Sequence, residues 1–366
     1  MTFVFWQNMV SIHQVALLKH LAQDNLVLQV AAQSFEHIRN DSGWNLPDMG
    51  NVHIITSPSD TEVNQLLKEH AAACHIFSGI SAYPMVYSAF RKACKGKHLI
   101  FVYLEPYETA GFKGRLRLLY YRLLALRYDR CISAILATGK TGVKAYIKAG
   151  FNSNRIYEWG YFTEAPERQA PLTREKGKRQ ILFVGRLDHN KQITTLIETF
   201  ITTCKDVAEL TIVGTGPLKE QVELAVEQHS SVKYLGVLPN HQLKVLMQEL
   251  DVLVLPSLYD GWGCVVNEAL QAGMQVLCSE NCGAATLIRA PFLGSVFSWL
   301  EPLDFENKLY QIAHNSPLTP EERANIITWA DKYISAQAAG AYLNHIIRHA
   351  IGSENIIPLA PWHKSL

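Results

Sequence analysis

Short apolar runs alternate with helical segments along most of this chain. In the first half, the runs Leu26–Ala31, Cys74–Ser78 and His98–Leu104 predict buried strands, and Ala82–Cys94 predicts a helix between two of them. Strands that alternate with helices in this way form a doubly wound, mostly parallel sheet. The pattern therefore predicts an α/β chain in which ligands bind at the carboxyl ends of the strands.

A polar stretch interrupts the alternation near the middle of the chain. Residues 163–178, TEAPERQAPLTREKGK, contain two prolines, many charges and little apolar content. A composition of this kind is typical of an interdomain linker, and 366 residues are enough for two domains. We predict a first domain over residues 1–165, a linker over 166–178 and a second domain over 179–334.

The composition argues against several classes of protein. With 48% hydrophobic residues, 18% charged residues and a net charge of +1, the chain is an ordinary globular protein with no overall charge to attract nucleic acid. The first residues, MTFVFWQNMV, do not resemble a signal peptide, and no apolar run is long enough to span a bilayer. The seven cysteines lack a C-x-x-C pair, which predicts free thiols in the cytosol. No zinc-type His/Cys pattern occurs, so we predict no bound metal.

One strand–loop–helix stretch in the second half carries two carboxylates. The apolar run Val252–Leu255 predicts a buried strand, a loop follows over 258–263, and a helix then continues to Gly273. Asp260 lies on the loop and Glu268 inside the helix. Free N–H groups at the start of such a helix stabilise an anion, which predicts a phosphate site framed by two acids.

This stretch resembles the acid-x7-acid motif of retaining nucleotide-sugar glycosyltransferases of family 4. The resemblance implies two Rossmann-like domains facing a cleft, the GT-B fold, with a C-terminal helix at about 335–366 that packs back on the first domain. It implies that Asp260 contacts donor-sugar hydroxyls and that Glu268 contacts the ribose. The backbone between them contacts sugar and phosphate, at Gly261, Trp262, Gly263 and Cys264. An ordinary βα corner with a solvated Asp is the alternative, and Asp260 departs from the Glu of most relatives.

A second match to the same family follows the first strand of the second domain. Gly185 and Arg186, with Lys191 five residues after the arginine, resemble the loop that holds the donor diphosphate, and Gly214 lies in a Gly-x-Gly-Pro turn like that of the family. Two fixed cations would stabilise a departing nucleoside diphosphate. No Asp-x-Asp occurs, so the resemblance implies a metal-independent enzyme.

The first half departs from the family. Many relatives have a glycine-rich loop after the first strand, whereas residues 7–13 here contain no glycine. His13 in that loop and Glu105 at the end of a strand are the candidates for orienting the acceptor or donor. A structural or exposed histidine and a capping carboxylate are the alternatives for these two residues.

Residues 112–130 form a basic segment with interleaved leucines and aromatic residues. Its cations are Lys113, Arg115, Arg117, Arg122, Arg127 and Arg130. Such a helix suits an anionic membrane surface, and a partly buried helix with outward-reaching arginines is the alternative. Because the leucines surround the helix, their positions favour neither interpretation. We expect contact with a membrane surface.

Together these patterns predict a retaining, metal-independent hexosyltransferase that uses no cofactor. Its donor would be a nucleotide-diphosphate sugar, UDP- rather than GDP-linked, and its acceptor a glycan or a lipid-linked glycan in bacterial surface polysaccharide biosynthesis. The predicted location is the cytoplasm, with peripheral attachment to the inner face of the cytoplasmic membrane. A sugar-nucleotide epimerase of the same fold and a catalytically silent nucleotide-sugar-binding protein are the alternatives.

Overall fold

The structure is a computed structural model that describes residues 1–33, 48–108, 111–168 and 177–364. Its strands are β1 Thr2–Gln7, β2 Leu26–Ala31, β3 His53–Thr56, β4 Cys74–Ser78, β5 Leu99–Leu104, β6 Ala134–Thr138, β7 Ile156–Trp159, β8 Arg179–Val184, β9 Ala208–Val213, β10 Val232–Tyr234, β11 Val252–Leu255, β12 Gln275–Ser279 and β13 Gly294–Phe297. Its α-helices are α1 Val15–Leu21, α2 Asp60–Glu69, α3 Pro84–Lys95, α4 Gly111–Tyr128, α5 Gly139–Lys148, α6 Ile193–Thr203, α7 Lys219–Gln228, α8 Asn240–Glu249, α9 Cys264–Gln271, α10 Asp304–Ala313, α11 Pro320–Tyr333 and α12 Ala336–Ala350.

The described residues divide into two compact units. The first contains the residues up to Thr163 together with those from Ser335 onward, and the second runs from Glu164 to Ile334. Of the predicted linker at 166–178, residues 169–176 lie outside the described residues.

The first unit is built on a parallel sheet. Within the described residues it has seven strands, in the order β3-β2-β1-β4-β5-β6-β7. The strand order reverses direction between β1 and β4, and a reversal of this kind opens a crevice beyond the carboxyl ends of the two strands. Apolar side chains fill the space between sheet and helices, including Trp6, Phe77 and Phe90, each fully buried.

The second unit repeats the plan with a different set of loops. Its described strands form a six-stranded parallel sheet in the order β10-β9-β8-β11-β12-β13, which reverses between β8 and β11. All four residues of β11 are buried, as expected for a central strand covered on both faces. The prediction of an α/β fold with parallel sheets is confirmed for both units.

A turn that contains Cys131 precedes β6. A short 3-10 helix occupies Asp129–Cys131, and β6 starts only at Ala134. Cys131 and Cys94 form a disulfide with their Cα atoms 5.4 Å apart, so the prediction that all cysteines are free thiols is wrong for this pair. The two cysteines lie 37 positions apart in the sequence, and only the packing of α3 beside this turn brings them together.

The end of the chain packs on the first unit. The hydroxyl of Tyr342 in α12 donates to the backbone carbonyl of Glu158 at 3.1 Å. Trp362 is fully buried, and His363 lies 2.7 Å from the Glu158 carboxylate. These contacts attach the last helix and the tail to β7.

Candidate functional site

The loops after β8 and β11 bring a cation and a carboxylate together at the reversal point of the second sheet. Lys191, which follows β8, and Asp260, which follows β11, are separated by 69 positions, and Lys191 Nζ lies 2.5 Å from Asp260 Oδ2. Their side chains are 20% and 16% exposed, so the ion pair is largely withdrawn from water. This is the edge of a doubly wound sheet at which ligands bind.

Backbone contacts hold the Asp260 loop in place. The N–H of Asp260 donates to the carbonyl of Asn281, and its carbonyl accepts from the N–H of Gly283. The second oxygen of its carboxylate accepts from the N–H of Trp262 at 3.3 Å. Asp260 is therefore fixed by its backbone on one side and by both carboxylate oxygens on the other.

The two residues after Gly261 present only their backbone to this edge. Trp262 is 2% exposed, and its indole N–H donates to the side chain of the buried Asn267. Gly263 has φ +87°, and a Cβ there would lie 2.7 Å from the sulfur of Cys282. The loop therefore needs glycine at this position so that α9 can begin at Cys264, where the first N–H groups have no intrahelical acceptor.

Glu268 lies one turn into α9 and is 7% exposed. The side-chain amide of Asn240 donates to it at 3.5 Å. Burial raises the pKa of this carboxyl above its ordinary value, while Lys244 and the hydrogen bond from Asn240 act in the opposite direction. A buried acid with little compensation is typical of a functional position.

Gly185 and Gly214 meet where the loops after β8 and β9 touch. A Cβ on Gly214 would lie 1.9 Å from the carbonyl oxygen of Gly185, so close packing explains this glycine without any ligand. Arg186 has a side chain that is 69% exposed, and its Nε lies 3.4 Å from Asp188. Both predicted donor cations pair with an aspartate, but they differ in exposure: the Lys191 side chain is largely buried, and Arg186 reaches into solvent.

Two residues that the sequence analysis did not single out support this loop. Asp188 accepts from the backbone N–H of Lys191 at 2.9 Å, and the side chain of Asn190 donates to the carbonyl of Tyr259 at 2.9 Å. Both lie in the sequence between Arg186 and Lys191, and this position could have identified them. Among the residues that the structure describes, no group of three or more His, Cys, Asp or Glu side chains could hold a metal ion.

The reversal point of the first sheet brings Glu105 and His13 to one tyrosine. The hydroxyl of Tyr161, just after β7, donates to the Glu105 carboxylate. The His13 ring meets the Tyr161 ring edge to face with centroids 5.9 Å apart, and Tyr103 does so at 5.5 Å. Burial, then Tyr103 and Glu105, raise the pKa of Tyr161, which keeps its hydroxyl protonated as a donor. Sequence analysis missed Tyr161 because it lies 56 positions from Glu105.

Helix α4 of the first unit exposes most of its apolar side chains. Only Gly114, Leu124, Ala125 and Tyr128 of its residues are buried. Its exposed apolar residues include Phe112 at 75%, Leu126 at 85%, and Leu116, Leu119 and Leu123, each more than half exposed. In the described part of the chain, no helix is both long and apolar enough to cross a bilayer.

The second unit is similar to known glycosyltransferases. The model of glycosyl transferases group 1 matches residues 164–333, which include the Lys191–Asp260 pair and Glu268. The second unit is therefore similar over its whole length to group 1 glycosyl transferases. An uncharacterized glycosyltransferase of Methanocaldococcus jannaschii, MJ1607, is 34% identical over 116 residues, or 31% of this chain and 30% of that protein. The amylovoran biosynthesis glycosyltransferase AmsK of Erwinia amylovora is 31% identical over 134 residues, or 34% of this chain and 32% of that protein.

A solved structure aligns with most of the chain. The Anabaena protein Alr3699/HepE, determined in complex with UDP, has a TM-score of 0.69 at 14% identity and aligns with 95% of this chain and 99% of its own. At that identity the likeness shows the fold alone. The predicted GT-B class of two-domain α/β fold is thereby confirmed. The alignments to MJ1607 and AmsK span less than a third of each of those proteins.

Proposed function

We propose that this protein is a retaining glycosyltransferase of family 4 that moves a hexose from a nucleotide-diphosphate sugar to an acceptor hydroxyl without a metal ion. The observation that carries the proposal is the Lys191–Asp260 pair at the reversal point of the second sheet. It puts a cation suited to a diphosphate next to a carboxylate suited to sugar hydroxyls. An ordinary βα corner would leave both groups in water.

The same residues suggest how the reaction proceeds. The bond from the anomeric carbon to the phosphate oxygen breaks while a bond to the acceptor oxygen forms on the same face of the sugar. The acceptor proton passes to the departing phosphate. Lys191, Arg186 and the N–H groups at the start of α9 stabilise the charge that develops on the diphosphate. Asp260 holds the sugar, and Glu268 accepts hydrogen bonds from the ribose.

Known relatives support the choice of donor and pathway. The Anabaena structure was determined with UDP, so UDP is our proposed nucleotide in preference to GDP. AmsK acts in amylovoran biosynthesis, which supports an acceptor in bacterial surface polysaccharide biosynthesis. We assign the protein no cofactor beyond the sugar nucleotide.

Helix α4 supports attachment to a membrane. Its exposed leucines and Phe112 alternate with exposed arginines, and the combination binds surfaces rich in anionic lipid. A lipid-linked acceptor would be met at that surface. We therefore propose that the protein works on the cytoplasmic face of the membrane, held there peripherally.

A donor screen tests the proposal. Calorimetry with UDP and GDP, followed by NMR of incubations with UDP-glucose, UDP-galactose, UDP-N-acetylglucosamine and GDP-mannose, measures binding and turnover. We expect UDP to bind, slow donor hydrolysis to release the α-anomer first from an α-linked donor, and neither result to change with EDTA. Release of an epimerised sugar would instead indicate the epimerase, and binding without any turnover the silent module. Activity lost in EDTA and restored by Mn²⁺ would contradict the metal-free mechanism.

A further inference from the structure

A narrow recess opens at the reversal point of the first sheet, beside the Tyr161–Glu105 pair. Residues at the carboxyl ends of β1, β4, β5, β6 and β7 line it, and all belong to the first unit. The position is the one at which doubly wound sheets bind ligands.

The lining of this recess is apolar at its floor. Phe5, Ile76, Leu136 and Trp159 contribute side chains that are at most 4% exposed. A sugar hydroxyl inserted among them would lose its water without gaining a partner, at a cost of several-fold to a hundredfold in affinity. The floor therefore suits a methyl group and disfavours a plain hydroxyl.

One buried hydroxyl in the lining has no hydrogen-bond partner among the described residues. The Oγ of Ser78, at the end of β4, is buried without a partner, and Ser78 is one of the residues that line the recess. Its neighbour Gln7 is occupied, because its side-chain carbonyl accepts from Gln29 at 2.5 Å and its amide donates to Gln14. A buried orphan hydroxyl in a recess indicates a polar group that the ligand supplies.

The rim of the recess suits a sugar ring. The Tyr161 ring packs edge to face with the His13 ring and with the Tyr103 ring, with centroids 5.9 Å and 5.5 Å apart, and aromatic rings of this kind suit a pyranose. Glu105 is exposed at the same rim and accepts from Tyr161, so a sugar hydroxyl that binds there competes with or joins the tyrosine hydroxyl.

We propose that this recess receives the acetamido group of an N-acetylated hexosamine at the accepting end of the glycan. The acetyl methyl fills the apolar floor, the amide pairs with Ser78, and the pyranose lies at the rim against Tyr161 with a hydroxyl on Glu105. An acetamido group is the common sugar substituent that carries both a methyl and an amide. The inference rests on the proposed function, since the bound saccharide is an acceptor only if the protein is a glycosyltransferase.

Binding of simple glycosides to the full-length chain tests the subsite without any nucleotide. The probes are the methyl glycosides of N-acetylglucosamine and N-acetylgalactosamine, each compared with the methyl glycoside that has a hydroxyl in place of the acetamido group. We expect one N-acetylated glycoside to bind about tenfold more tightly than its hydroxyl counterpart, from one buried methyl and one hydrogen bond. Saturation transfer from the protein should be strongest at its acetyl methyl.

Three variants locate the effect. Ser78→Ala should reduce the preference for the N-acetylated glycoside about fivefold, and Tyr161→Phe should weaken both glycosides of the pair by a similar factor. Tyr83→Phe, an exposed tyrosine at the start of α3, should change neither. Thermal melting confirms that each variant folds.

Equal affinity for both glycosides, no binding of any glycoside, or a preference that survives Ser78→Ala would overturn the subsite. Failure of the proposed function looks different: the glycosides would still bind selectively, and no nucleotide sugar would bind or turn over.

Discussion

The two units share one sheet plan and differ in where their charged side chains lie. At the reversal point of the second sheet, Lys191 and Asp260 form a half-buried ion pair on loops that need glycine. At the matching point of the first sheet, tyrosine and histidine rings surround an apolar recess, and Glu105 is the carboxylate at the rim. Away from that point, the first unit carries a run of exposed arginines along α4, at Arg115, Arg117, Arg122 and Arg127.

This difference follows from what each site would bind. A diphosphate has the same shape and charge in every nucleotide sugar, so fixed cations and a tight backbone suit it whatever the sugar. An acceptor glycan is neutral at most positions and varies between pathways, so aromatic faces and a shaped recess suit it better. The effects of the α4 cations and of Lys191 can therefore be measured separately by mutating each group.

The largest effect should come from α4. Reversing Arg115, Arg117 and Arg122 to Glu removes about 1 kcal/mol of attraction per arginine and adds repulsion, so partitioning to vesicles of acidic phospholipid should fall more than about a hundredfold. Sedimentation with such vesicles measures it, and salt should weaken the binding of the unchanged protein.

The matched control reverses Arg91, Lys95 and Lys97, three exposed cations on or just after α3 of the same unit. This control should bind vesicles nearly as well as the unchanged protein, and both triple variants should bind UDP normally. Vesicle binding that does not depend on salt, or that both triple variants lose equally, would show that α4 does not make the membrane contact.

Next in size is the loss of the second-unit cation. Lys191→Ala should lower kcat/KM for the nucleotide sugar by about a hundredfold, as expected when a group that stabilises the leaving phosphate is removed. Vesicle binding should be unchanged. Lys219→Ala is the control, since Lys219 is exposed in the same unit and pairs with Glu223 on the helix surface. Turnover by Lys191→Ala equal to that of this control would mean that the ion pair is structural.

Sequence analysis predicted more of the candidate site in the second unit than in the first, and the reason is physical. In the second unit the signal is local, because Gly185 to Lys191 and Asp260 to Glu268 each lie within one strand–loop–helix corner. Their short spacing specifies both the backbone and the chemistry. The fold class was predictable in both units, since strand and helix periods follow from burial.

His13 and Glu105 were candidates from the sequence, but their grouping with Tyr161 was not predictable, because the three residues come from distant parts of the chain. His13, Glu105 and Tyr161 follow β1, β5 and β7, and only the strand order brings them together. Nothing in the sequence near Tyr161 marks it as a partner of Glu105. The Cys94–Cys131 disulfide was not predicted for the same reason. The spacing of cysteines in a sequence does not indicate which helix packs beside which turn.

A smaller effect is expected from neutralising the Asp260 carboxylate of the Lys191–Asp260 pair. Asp260→Asn keeps an oxygen that can accept from the Trp262 N–H and so preserves the loop, but it removes the charge that faces Lys191. We expect kcat to fall about thirtyfold, because the contact with the reacting sugar matters most as charge develops there. UDP affinity should stay level or rise a few-fold, because Lys191 no longer has a competing carboxylate.

Asp260→Glu restores the longer carboxylate of the motif that this loop resembles and should keep partial activity. Steady-state kinetics together with calorimetry separate the two effects. If Asp260→Asn turns over within about twofold of the unchanged protein, this carboxylate only shapes the loop.

The smallest effect concerns Glu268 and separates the ribose contact from the phosphate contacts. Glu268→Gln keeps the shape of the side chain and removes its charge, so UDP should bind about tenfold more weakly at neutral pH, as expected for a hydrogen bond to a carboxylate. Lys191→Ala, by contrast, removes a phosphate contact and lowers kcat/KM. Because burial raises the pKa of Glu268 in the folded protein, its ionised form opposes folding, and that penalty grows as pH rises from 4.5 through the raised pKa. Glu268→Gln should therefore be at least as stable as the unchanged protein at neutral pH, which excludes misfolding as the cause of weak binding.

The sign of the pH effect on binding follows from the same pKa. Ribose hydroxyls donate to the carboxylate, so nucleotide binding favours the ionised form, and UDP affinity should rise with pH until Glu268 is ionised in the free protein. The terminal phosphate of UDP also titrates, near pH about 6, but it does so equally with both proteins. Dividing the Kd of Glu268→Gln by that of the unchanged protein therefore isolates Glu268. This ratio should be about tenfold at high pH and should fall to within about twofold on acidification. A ratio that stays constant across the titration would mean that Glu268 binds no hydroxyl through its charge, and its burial in α9 would then be a matter of packing alone.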